Sequence, residues 1–137
     1  MRKHLLLFVL LVTATLTYAQ SETETLEWLN IKKTEITLGS SYSSTVSSYS
    51  TVKLLLTNET MRLENDKGAW TEGNWSSIKE VKNENNYVKI IYNFNYDNKP
   101  TIIGLYISDS AIKEKYIKAV KHMATLKGAK MIDSDLF

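Results

Sequence analysis

Residues Asp109 to Lys130 read DSAIKEKYIKAVKHMATLKGAK. Of all the segments after the N-terminal apolar run, this is the longest with one clear period. At about 100° per residue, Ile112, Tyr116, Ala119, Val120, Met123 and Leu126 fall on one stripe. Lys113, Glu114, Lys118 and Lys121 fall outside it, and Lys115 and His122 lie on its flank. Ser108, Asp109 and Ser110 each offer an oxygen to the free amides of a first turn. Gly128 stands where a helix end wants a left-handed residue. The spacing predicts a long amphipathic helix with one apolar face, and such a face must cover another layer. Beyond Gly128, Met131, Ile132, Leu136 and Phe137 give the tail apolar anchors with which to pack down.

The layer to be covered lies upstream. In Thr51–Thr57, Val52, Leu54 and Leu56 alternate with polar neighbours, apart from Leu55. Asn58-Glu59 reads as a tight turn, and Met61 and Leu63 supply the apolar face of a hairpin partner. Asn65 to Gly68 is a turn by composition. Trp70 and Trp75 flank Glu72-Gly73-Asn74, which reads as another turn. Ser77–Lys82 holds Ile78 and Val81 at a spacing that does not alternate strictly. Asn83 to Asn86 is a polar turn. Tyr87–Asn95 is the clearest strand, with Val88, Ile90, Tyr92 and Phe94 on one face. Asp97 to Pro100 turns the chain again, since proline cannot donate to a ladder. Thr101–Ile107 is nearly all apolar, as expected of a central strand covered on both faces.

Two segments precede these strands. From about Glu22 to Lys33, early glutamates (Glu22, Glu24, Glu27) and late lysines (Lys32, Lys33) suit the dipole of a helix. Leu26 and Leu29 share a face beside Trp28, and Ser21 to Glu24 fits a capping box. Thr37–Ser50 is rich in serine and threonine and reads as a loop leading into an edge strand, with Tyr42, Val46 and Tyr49 as anchors. The order is a short helix, five or six antiparallel strands and a long helix. This predicts an α+β domain: one curved antiparallel sheet or partly open barrel with the last helix packed on it. Among named folds, a pleckstrin-homology-like (PH-like) barrel fits best, because it ends in such a helix. A cone of the nuclear-transport-factor-2 type is the alternative, although it usually has more helix before its sheet.

The N-terminus reads as a targeting segment. Arg2, Lys3 and His4 precede the apolar run Leu5–Val12, and Thr17-Tyr18-Ala19 puts small residues at the first and third positions before a cut. We expect residues 1–19 to be a cleaved signal peptide and 20–137 to form a single domain. The apolar run is shorter than the ~20 residues a membrane span needs. The formal charge of +2 comes from 17 Lys and Arg against 15 Asp and Glu. Without Arg2 and Lys3 the bases number 15 and balance the acids. Net charge then gives no support for nucleic-acid binding. The chain has no cysteine, which excludes a disulfide scaffold, a thiolate metal site, a thiol nucleophile and a lipid-anchored cysteine. The expected location is outside the cytoplasm, periplasmic or extracellular, with no membrane span after cleavage.

The string Tyr116 to Lys130 followed by Asp135-Leu136-Phe137, with Thr25 to Leu29 in the first helix, resembles a set of small secreted proteins of Bacteroidetes-type bacteria. Their last helix ends in a His-Leu-x-x-Leu-x-Gly-Gly-Lys-like motif near a terminal phenylalanine. Many of them carry a cysteine where this chain has Lys127, so no role of that thiol transfers. Met123 replaces a usual leucine and Ala129 the second glycine. The resemblance implies a signal peptide, a small α+β domain and a structural last helix, and no activity.

No catalytic, cofactor-binding or metal-ligating residue is assigned from the sequence. His122 is the one histidine after residue 19 and cannot alone make a zinc site. As a general base it needs a nucleophile and an orienting carboxylate that no motif supplies. Glu59, Glu64, Asp66, Glu72 and Glu80 contain possible carboxylate pairs for glycoside hydrolysis, but each is expected in or beside a turn and so on a solvated rim. Asn93 to Asn98 lacks the glycine and the terminal glutamate of an EF-hand calcium loop. Trp70, Trp75, Tyr87, Tyr92, Tyr96 and Tyr106 are expected to serve the core and the turns before any ligand. The helix lysines 113, 115, 118, 121, 127 and 130 read as a solvated face. The expectation is a non-enzymatic binding or interaction domain whose partner is a protein or a small hydrophobic ligand. The contrary classes are a small cavity-based hydrolase or isomerase and an envelope accessory subunit.

Overall fold

The computed structural model describes residues 21–41, 50–96 and 98–132. The expected signal peptide, the anchors Tyr42, Val46 and Tyr49, and the end of the tail at 133–137 lie outside them. Helix α1 covers 21–32 and runs into a 3₁₀ turn, Lys33–Glu35. Seven strands follow: β1 (Leu38–Ser41), β2 (Ser50–Leu56), β3 (Thr60–Asn65), β4 (Trp70–Asn74), β5 (Ile78–Glu84), β6 (Tyr87–Tyr96) and β7 (Lys99–Tyr106). Helix α2, Ser110–Leu126, closes the order. The strands form one antiparallel sheet in the order β4-β3-β2-β1-β7-β6-β5.

The sheet is strongly curled. β4 and β5 lie at its opposite edges, yet the three-residue 3₁₀ turn Trp75–Ser77 joins them. The ring of Tyr92 on β6 lies against Gly73 on β4, which only a closed-over sheet permits. The interior is filled by Met61, Trp75, Ile78, Val88, Ile90, Tyr92, Ile103 and Leu105, each essentially inaccessible to solvent. Helix α2 covers the corner between β4 and β5 with Tyr116, Val120, Met123 and Ala124 buried, and α1 adds Leu29 to the same core.

Several sequence expectations needed correction. β1 is not an edge strand, for it lies between β2 and β7. Its small residues are there because the neighbouring backbone comes close: a Cβ on Gly39 would sit 2.8 Å from the Gly104 carbonyl oxygen. The Glu72–Asn74 segment is not a turn but part of β4, paired with Thr60, Met61 and Arg62 of β3. β1 and β4 bring the strands to seven instead of five or six. The three-residue spacing of Ile78 and Val81 reflects a register shift between Ile78 and Glu80 on β5. Pro100 lies within β7, not in the turn before it. Ser21 is already helical, and its hydroxyl meets His122, so the expected capping box is not what it forms.

The ends of α2 follow the sequence closely. The Asp109 carboxylate accepts the Ile112 amide at 3.0 Å. At the other end the Ala129 amide reaches the Ala124 carbonyl at 2.9 Å and the Gly128 amide that of Thr125 at 3.1 Å. With Gly128 at φ +86°, this is a Schellman ending. Lys113 was expected on the outer face and is buried instead. Its ammonium donates to the Asn85 carbonyl in the β5–β6 turn.

Candidate functional site

The arrangement of α2 and β5 leaves a groove at the edge of the sheet. Among the described residues β5 pairs with β6 on one side and is the last strand on the other. Its outward backbone groups are therefore a template for another strand. Glu114, Ile117, Lys118 and Lys121 of α2 face residues Glu80 to Glu84 of β5 across a cavity of about 610 Å³. Val81 and Ile117, both nearly buried, supply the apolar part of the lining. The rims are charged with both signs: Glu80 pairs with Lys82 at 3.9 Å and Glu84 with Lys89 at 4.0 Å. The Tyr87 hydroxyl donates to Glu84 at 2.6 Å. That bond, with burial and the carboxylate charge adding to it, holds the phenol above its ordinary range.

Residues singled out from sequence do not gather into a catalytic centre. His122 is exposed on α2, and its Nε2 lies 2.6 Å from Ser21 Oγ. The sequence could not have shown this contact, which links residues a hundred positions apart. A serine nucleophile also requires an orienting group on its histidine, and among the described residues no carboxylate pairs with His122. Glu64 and Glu72 flank Arg62 on β3 and β4, at 2.9 and 3.8 Å. Glu59 is in the β2–β3 turn, 3.5 Å from Lys127. Asp66 is in the exposed β3–β4 turn, and only Glu80 reaches the groove. Among the described residues no three of His, Asp or Glu cluster as metal ligands.

The aromatics are also dispersed. Trp70 is 56% exposed beneath the Arg62 guanidinium, 4.2 Å from its ring centre. Trp75 is fully buried and donates from Nε1 to the Thr57 carbonyl at 2.8 Å. Tyr92 lies in the core against Phe94, while Tyr106 is half-buried. Of residues 93–98, Asn93 to Asn95 are exposed near the β6–β7 hairpin tip, with Asn98 at φ +60°; Asp97 and the Tyr96 side chain lie outside the described set.

Lys127 holds one corner together. Its ammonium lies 2.6 Å from Glu22 of α1 and 3.5 Å from Glu59. The bond to Glu22 dominates and raises the lysine above its ordinary range. The helix lysines thus divide by role: Lys113 and Lys127 tie elements together, Lys118 and Lys121 line the groove, and Lys115 and Lys130 are exposed.

No family model matches the chain, and no curated protein matches it. Among solved structures it is similar to one described as "PH domain from TgAPH", with a TM-score of 0.51 and 12% sequence identity over 80% of this chain and 99% of that chain. At that identity the likeness concerns the fold alone. The fold is PH-like, an open seven-stranded antiparallel sheet with a C-terminal helix, and not the cone held as the alternative.

Proposed function

We propose that this protein is an exported, non-enzymatic interaction domain that takes an extended polypeptide segment along β5, in the groove closed by α2. The observation that carries this reading is the open edge of β5 beside that groove. Main-chain pairing to an exposed edge gives affinity, and a flanking groove gives side-chain selectivity. The filled interior supports a surface partner over an enclosed hydrophobic ligand. A PH-like fold suits a small binding module, although fold by itself does not assign a ligand. Export rests on the layout of residues 1–19, and kinship with the small secreted proteins rests on the Tyr116–Lys130 string.

A library of extended peptides displayed against the protein tests the docking surface. Selected peptides should slow amide exchange over residues 79–84, and Lys118→Glu should change their affinity at least tenfold. Peptides that protect another face overturn the reading. N-terminal sequencing of the exported protein should begin at Gln20, and an intact Met1 removes the export claim.

A further inference from the structure

The strands β2, β3 and β4 bury one face and present the other to solvent. Leu54, Leu56, Met61, Leu63 and Gly73 point into the core, so their neighbours in sequence point out. The register sets these outward side chains in rows. Lys53, Glu64 and Trp70 stand side by side in one row, and Leu55, Arg62 and Glu72 in the next. Helix α2 packs elsewhere, chiefly against β5, β6 and the Trp75–Ser77 turn. Arg62 is the hub of the outward face. Its Nε lies 2.9 Å from Glu64, and a terminal nitrogen lies 3.8 Å from Glu72. Held from both sides, the guanidinium lies over one face of the Trp70 indole, 4.2 Å from the ring centre. Cation and ring quadrupole favour that stacking. The indole is thereby fixed in place, yet 56% of the residue remains open to solvent. An aromatic plate already held in position loses little freedom when a ligand settles on it.

We propose that this face binds neutral carbohydrate, with the apolar C–H face of a sugar ring stacked on Trp70 and its hydroxyls read by Arg62, Glu64, Glu72 and the exposed Asn74. A pyranose has an apolar face and a rim of paired hydroxyls. The site offers the same division: one aromatic plate beside planar guanidinium, carboxylate and amide groups, which can each bond two neighbouring hydroxyls. The charge balance selects against other partners. Lys53 and Arg62 cancel Glu64 and Glu72, so the face lacks the excess of cations that a nucleic acid or another polyanion needs. A cation finds the inner face of the indole already taken by Arg62. Leu55 is half-buried and is separated from Trp70 by Arg62 and Glu64, so there is no continuous apolar patch on which a protein partner could build a dry core. The face shares no residue with the α2–β5 groove and stands independently of the peptide-docking reading.

Calorimetric titration with soluble oligosaccharides of β-glucan, mannan and xylan tests the proposal, with heparin and duplex DNA as charged controls. At least one neutral oligosaccharide should bind, and Trp70→Ala should weaken it by about tenfold or more. Trp70→Tyr keeps a smaller ring on the same fold and should fall between the alanine variant and the native protein. Arg62→Met, which removes both the support beneath the indole and a hydroxyl reader, should weaken binding as well. Lys118→Glu in the groove should leave it unchanged, so this site and the peptide-docking surface can fail separately. The proposal is overturned if none of the neutral oligosaccharides binds, or if Trp70→Ala binds as tightly as the native protein. Binding confined to heparin or DNA overturns it too, and assigns the face to a polyanion instead.

Discussion

The ring of Tyr92 on β6 fills the space that a side chain at Gly73 on β4 would need. A Cβ at Gly73 would lie 2.6 Å from Cζ and 2.7 Å from Cδ1 of that ring. Gly73 does not have a positive φ, so space and not backbone freedom requires glycine there. Gly73→Ala should destabilise the domain by about 1–3 kcal/mol through overpacking. Tyr92→Leu makes room and should relieve part of that cost. In denaturant unfolding, the double variant should lose less than the sum of the single losses. Strict additivity would mean that β4 and β6 do not meet through this pair.

Tyr92 has a second consequence. Its hydroxyl is buried with no hydrogen-bond partner among the described residues, and Tyr116 is buried with a long 3.4 Å bond to the Leu29 carbonyl. Burial pushes both phenols far above the ordinary value of 10.0. Above about pH 10 the unfolded chain releases these protons while the folded chain keeps them, so stability must fall as pH rises. The slope is about 1.4 kcal/mol per pH unit for each tyrosine. Lys127 acts in the same sense, because its raised proton affinity is lost on unfolding. Stability should be nearly flat from pH 7 to 9 and drop steeply beyond 10. Tyr87, raised by its bond to Glu84, adds in the same sense, and Tyr92→Phe should remove only its own share of that slope, about half of what the two buried tyrosines contribute. It should also raise stability at neutral pH by about 1 kcal/mol, by removing an unsatisfied polar atom. A melting temperature still flat at pH 11 would refute the burial argument.

Features legible in the sequence were those set by local periodicity. The stripe on α2, the alternation in β2, β3 and β6, the Asp109 cap and the Gly128 ending depend on neighbours within a turn or a strand. What escaped depends on contacts distant in sequence. Gly73 reads as a turn glycine until Tyr92 is seen above it. Gly39 and Ser40 read as linker until β7 is seen beside them. The groove was illegible for the same reason: β5 carries no sign of being at an edge, and only the strand order reveals it. Lys113 reads as a solvated lysine because its acceptor, the Asn85 carbonyl, lies in a different hairpin.

Lys127 offers a test of how the two helices are joined. The side chains of Lys127 and Glu22 are partly buried, at 19% and 30% exposure, and lie 2.6 Å apart. A double-mutant cycle of Lys127→Met and Glu22→Gln should give a coupling of about 0.5–1 kcal/mol, reduced by salt. The same cycle with Glu59, which is 3.5 Å away and 70% exposed, should give less. Coupling to Glu59 as large as that to Glu22 would show that the β2–β3 turn, not α1, is the anchor.

The weight placed on α2 can be separated from the role of its outer face. Met123 is fully buried in the core that Trp75 and Tyr116 share, whereas Lys118 is exposed at the rim of the groove. Met123→Asp would bury a carboxylate among apolar groups, and should cost more than about 4 kcal/mol, enough to unfold a domain of this size. Lys118→Ala should change stability by no more than about 0.5 kcal/mol. If Lys118 belongs to a docking surface, the alanine variant should nevertheless bind groove-directed peptides differently. Circular dichroism and thermal melts of the two variants decide the first point, and peptide titration of Lys118→Ala the second. An aspartate variant that keeps the native melting temperature would show that the barrel holds without its covering helix.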